Sequence, residues 1–199
     1  MKRLPLLSTL IVALAVAAMI GLGIWQLHRA DWKAGLLTRY QENMSLPEVA
    51  FPAVPVPDDA LLFRHAHGYC LQAIDWTARA GRDRTGRSGW RHIAHCRTGA
   101  EGPGMAVDFG WSERSNPPVG YSGGPVSGIL ARDTAHVYLL VAEKAAPGLE
   151  PSALPSPADL PNNHLSYAVQ WFLFAGVAVL IYLLALRQRL KLARKGPDR

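Results

Sequence analysis

His65, His67 and Cys70 crowd one short stretch of this sequence, and His92, His95 and Cys96 crowd another. Imidazole and thiolate groups at that density are the donors that zinc and copper sites use. Strand alternation limits the set. His65 and His67 share a face from which Cys70 points away, and His92 and Cys96 share a face that His95 does not. A site built from His65, His67, His92 and Cys96 is one expectation; polar residues on the wet side of a half-buried sheet are the other. The cysteines carry their own pair of readings. They form a Cys70–Cys96 disulfide, worth about 3 kcal/mol by chain entropy, or they stand as two independent buried thiols.

His164 draws notice by position. It opens an uncharged run of 22 residues, Leu165–Leu186, and an ionisable group at the edge of such a run is costly unless paired or used. On a helix Tyr167, Ala168, Trp171 and Ala175 follow on its face. Two alanines leave a flat slot, two aromatic rings can stack on a planar ligand, and neutral imidazole is an axial ligand for haem iron. This face reads as a haem-docking edge, with His28 as a candidate second ligand. The competing reading is a helix-end histidine solvated among lipid headgroups. Elsewhere no phosphate-cradling loop, Cys-x-x-Cys pair, spaced carboxylate pair or ordered Ser/His/Asp set is found, so no enzyme is expected.

The element that must position His164 is a membrane span. At about 1.5 Å per residue the 165–186 run crosses a hydrocarbon layer of roughly 30 Å. A second uncharged run, Leu4–Leu27, covers 24 residues, too long for a signal-peptide core; an anchor is the reading preferred over a cleaved signal peptide. Just beyond it Trp25, Arg29 and Lys33 share a helical face. Trp25 suits the headgroup layer, and Gln26 and Arg29 offer polar groups to a partner or an anionic ligand.

Charge supports two spans rather than a nucleic-acid surface. The formal net charge is +6, but Lys2 and Arg3 give +2 and the tail after Leu186 gives +5, leaving the chain between at −1. Lys and Arg flanking a span stay cytoplasmic, so both termini are expected inside and the segment between the spans outside. No Arg-rich, Ser-rich amphipathic segment precedes the first run, which favours a bacterial inner membrane with a periplasmic central domain.

The expected organisation is therefore a span over 4–28, a helical extension over 29–46, a β-rich domain over 47–146, a Pro-rich spacer over 147–163, a span over 165–186 and a basic tail over 187–199. Strand-like runs are 61–74, 90–96, 105–111, 126–130 and 136–142, with 81–89 and the arginines of 79–91 placed in a solvated hairpin loop. Five or so strands without interleaved helices predict a small antiparallel sheet or barrel between two transmembrane helices.

The two membrane motifs are similar to those of the surfeit locus protein 1 family, factors of cytochrome c oxidase assembly. Leu22, Gly23, Trp25, Gln26 and Arg29 match the motif closing its first span. His164, Tyr167, Ala168, Gln170, Trp171 and Phe172 match the one opening its second. A weaker likeness is Val107-Asp108-Phe109-Gly110-Trp111, with Phe109 where relatives carry arginine; Ala94-His95-Cys96 stands where they tend to have Thr-Pro-Leu. The resemblance implies a non-enzymatic factor that helps install haem a in oxidase subunit I, alongside the haem a synthesis machinery. His164 would contact the haem, with Tyr167 and Trp171 beside it. The alternatives are a cofactor-free scaffold for nascent subunit I and a periplasmic copper or zinc protein.

Overall fold

A computed structural model describes residues 6–194; Lys2 and Arg3, residues 4 and 5 of the first expected span and the last five residues of the basic tail lie outside the described residues. The chain divides into two compact units, a helical one of residues 1–35 and 161–199 and a sheet unit, Leu36–Leu160.

The first helix, α1 (Leu6–Ser45), is one continuous element that joins the expected span to its extension. No proline interrupts it, and Pro47 stops it. The second, α2 (His164–Arg194), begins at His164 and carries the described part of the basic tail as helix. Each is long and apolar enough to cross a membrane.

In the sheet unit the strands are β1 (Val49–Ala50), β2 (His65–Cys70), β3 (Gln72–Arg82), β4 (Ser88–Arg97), β5 (Met105–Ser112), β6 (Gly124–Asp133) and β7 (Val137–Ala142). They form one seven-stranded sheet in the order β1-β2-β6-β7-β5-β4-β3. The sheet is mixed, not purely antiparallel: β1 pairs with β2, and β5 with β7, in parallel. The reason lies in the long turn after β5. It carries the chain away to pair β6 with β2, and the tight return then lays β7 between β6 and β5. Strand-by-strand hairpin logic does not foresee that insertion.

Most of the core lies on one face, where Ala66, Cys70, Ala94, Cys96, Val107, Phe109, Leu130 and Leu140 meet Tyr40 from the last turns of α1. A smaller cluster of Ile93, Ala106, Leu139 and Val141 covers the other face. Odd and even residues of β4 and β5 divide between the two, as the pleat requires.

Two expectations need correction. The arginine-rich stretch is not a solvated loop: Arg79 and Arg82 lie on β3 and Arg91 on β4, leaving a turn of Asp83–Arg87. Buried Asp83 organises that turn, accepting from the backbone N–H of Thr85 (2.9 Å) and Arg87 (2.8 Å) and from Arg87 Nε (2.6 Å). Nor is the Pro-rich segment only a spacer. Glu150 exchanges backbone hydrogen bonds with Trp111 at 2.6 and 2.9 Å, and Ala153 N–H donates to Arg82 at 2.9 Å. Proline lacks a donor, but the residues between the prolines keep theirs, and they finish the sheet edge.

Candidate functional site: the helical hairpin

In α1, as far as Lys33, the less exposed positions are Thr9, Val12, Val16, Met19, Gly23, Gln26, Ala30 and Lys33, spaced alternately by three and four, with Leu27 beside Gln26. In α2 they are His164, Ala168, Trp171, Ala175, Ala178, Tyr182 and Leu186. That spacing is the seam of two helices lying side by side. The seam runs antiparallel. Thr9 hydrogen-bonds Tyr182 near one end, Phe172 sits over Gly23 midway, and Gln26 meets His164 toward the other. Gly23 is needed for that approach, since a Cβ there would lie 2.6 Å from the Phe172 ring. Beyond Gln26, Asn162 Nδ2 donates to Ala30 O at 3.3 Å and Lys33 Nζ to Pro161 O at 2.6 Å.

His164 is therefore paired. Its Nδ1 donates to Gln26 Oε1 at 2.8 Å, which fixes the neutral ring's proton on Nδ1 and leaves the Nε2 lone pair free. Tyr167 is half exposed, and Trp171 is partly buried with its ring edge-on to Phe174 at 6.2 Å. The alanine slot expected between them is not open. Ala168 and Ala175 are buried within the hairpin, where small side chains let the helices approach. The free edge of this face is the His164 ring and the outer side of Tyr167.

On α1 the polar residues divide their tasks. Gln26 holds His164. Arg29 stacks on Trp32, its guanidinium carbon 4.0 Å from the ring centre, and Trp25 is exposed. His28 lies about 200° around the helix from Gln26, on the exposed side, and is not brought to His164.

The metal set read from the sheet is not assembled. His65 Nδ1 lies 2.9 Å from Glu143, His67 3.5 Å from Glu48, and buried His92 donates to Ser112 Oγ at 2.8 Å. Cys96 is bonded to Cys70 in a disulfide, which decides between the two cysteine readings and takes its sulfur out of any donor set. Among the described residues no three His, Cys, Asp or Glu side chains gather as metal ligands.

A buried polar knot escaped the sequence reading. Asp108 is fully buried and accepts from Arg91 Nε (2.5 Å), Ser152 Oγ (2.9 Å) and Gly110 N–H (3.0 Å). Burial raises its carboxyl above the usual range, and Arg91 only partly offsets that. Its signal was a lone charge inside the apolar run 105–111. The knot ties β4, β5 and the Pro-rich segment together, a structural task.

A comparison with curated proteins finds no match. A profile of the SURF1 family matches residues 13–176, from the first helix through the sheet to the first turns of the second. Because the match covers most of the chain and includes both faces of the Gln26–His164 contact, the chain belongs to the SURF1 family, known for cytochrome oxidase assembly.

Proposed function

We propose that this chain is an integral membrane factor that presents haem a to subunit I of cytochrome c oxidase, with haem as cargo rather than resident cofactor. The supporting observation is the Gln26–His164 hydrogen bond, which leaves the imidazole Nε2 as a free donor at the mouth of the hairpin. The donor chemistry fits haem: a neutral imidazole held in one tautomer by an outer partner is a standard axial ligand. Tyr167 offers an exposed aromatic face one turn on, and Trp171 follows on the same side of the helix, edge-on to Phe174. Trp25 and Arg29, on the exposed side of α1, are left for subunit I or for the proteins that make haem a.

The proposed orientation places both termini in the cytoplasm of a bacterium and the sheet unit in the periplasm. The basic residues flanking the two apolar runs favour it. A disulfide in the sheet unit suits the same compartment.

The test is to purify the protein from cells that make haem a and record its visible spectrum. A Soret band lost in His164→Ala supports the reading. Native protein without haem, yet still co-purifying with subunit I when haem synthesis is blocked, would replace it with a cofactor-free scaffold.

A further inference from the structure

Two histidines outside the hairpin come together from distant parts of the sheet unit. His95 stands on β4, and His136 closes the turn between β6 and β7; their ring centres are 5.9 Å apart with planes inclined at 32°. Two imidazoles that share one ion, each nitrogen about 2.0–2.1 Å from it, have ring centres roughly 5–6.5 Å apart. The observed separation falls within that span.

The pair is held in place. His136 Nδ1 donates to Asp133 Oδ2 at 2.9 Å, and Arg79 Nη1 donates to the other oxygen, Oδ1, at 2.6 Å. With Arg79 donating to one oxygen and the His136 ring to the other, the carboxylate holds the ring by Nδ1 and leaves its Nε2 edge for a ligand. This carboxylate–histidine arrangement is the outer support that metal-bound imidazoles use.

The backbone adds to the placement. Val137, the first residue of β7, has φ 67°, in a γ-turn closed by Tyr138 N–H to His136 O at 2.8 Å, a strained geometry for a β-branched residue. Gly104, at φ 66°, keeps the other ring clear: a Cβ there would come within 2.6 Å of His95 Nε2. His95 and His136 line two cavities, of about 340 and 220 Å³.

We propose that His95 and His136 form a two-imidazole site for a copper ion, with water or a group from another molecule completing its coordination. Imidazole donors without thiolate suit copper and zinc, and the stability order of divalent ions puts copper above zinc. Two protein ligands make an exchangeable site. It is separate from the His164 reading, because both rings belong to the sheet unit.

The test uses the untagged full-length protein in detergent, stripped by a chelator and titrated separately with Cu(II) and Zn(II). One equivalent of copper is expected, bound more tightly than zinc, with an electron paramagnetic resonance signal coupled to two imidazole nitrogens. His95→Gln and His136→Gln should each weaken copper at least tenfold, and Asp133→Asn about tenfold, while His65→Gln leaves the affinity unchanged. Wild-type copper affinity in His95→Gln or His136→Gln overturns the site. If either variant fails to fold, the wild-type spectrum decides: coupling to fewer than two imidazoles also overturns it.

Discussion

Gln26 Oε1 accepts from His164 Nδ1 at 2.8 Å, joining two helices whose partners are 138 residues apart in the chain. Interhelical hydrogen bonds in membrane proteins contribute about 0.6 kcal/mol on average. A double-mutant cycle with Gln26→Leu and His164→Leu, read by unfolding in mixed micelles, should return a coupling of about that size. Additive effects would mean that the contact stabilises nothing. On the proposed haem reading, Gln26→Leu should also lower haem retention, because the imidazole then loses the partner that fixes its tautomer.

The Cys70–Cys96 disulfide spans a sequence separation of 26 and joins β2 to β4, strands that are not neighbours in the sheet. Removing it with Cys70→Ala/Cys96→Ala should cost the sheet unit about 3–4 kcal/mol on the chain-entropy scale. Both sulfurs are fully buried, so alkylation of the reduced protein should track unfolding. Rapid alkylation under native conditions, with no loss of stability in the double variant, would contradict this.

What the sequence made legible followed from uniform signals. Long uncharged runs define both helices, and Pro47 marks the end of the first. Alternation along 65–70 correctly set Cys70 opposite His65 and His67. The rest depends on pairings that no local pattern carries. β7 lies beside β5 only because β6 has already paired with β2. Ala168 and Ala175 read as an open slot until α1 covers them, and His95 meets His136 through a turn outside both cysteine-bearing clusters. Arg87 looked solvated because its partners, Asp83 and Glu150, come from the turn itself and from a segment read as a spacer.

Gly110 and Gly86 should respond differently to alanine. Gly110 has φ 138°, and a Cβ there would lie 2.6 Å from the Glu150 carbonyl oxygen, which is held by its own ladder bond to Trp111. Backbone strain of order 1–3 kcal/mol then adds to a clash that cannot relax cheaply. Gly86, at φ 89°, faces open space, so Gly86→Ala should cost only about 1–2 kcal/mol. Thermal unfolding of the two variants checks the order, and equal midpoints would refute the role given to the Glu150 strand bridge.

Acid should unfold the sheet unit in two windows. Burial holds the His92 imidazole below its ordinary pKa, outweighing the backbone of Arg114 and the charge of Asp108. A histidine depressed in the folded state favours folding above about pH 6.5 and loses that contribution as pH falls. The second window belongs to Asp83. Burial would raise its carboxyl, but hydrogen bonds from the Arg87 and Thr85 backbone and side chains win and hold it at about 2. Its folded value lies below the unfolded value of about 3.9, so its contribution is complete above pH 4 and disappears between about 4 and 2. Asp108, raised by burial, runs the opposite way: it gains as pH falls toward about 3.9 and is level through the Asp83 window below. Midpoints measured from pH 8 to 2 should therefore fall first near pH 6 and again below 4. In Asp83→Asn the sheet unit should start lower at neutral pH, and the gap to wild type should close as pH approaches 2. A gap that stays constant across that range would show that the Asp83 charge does not hold the turn.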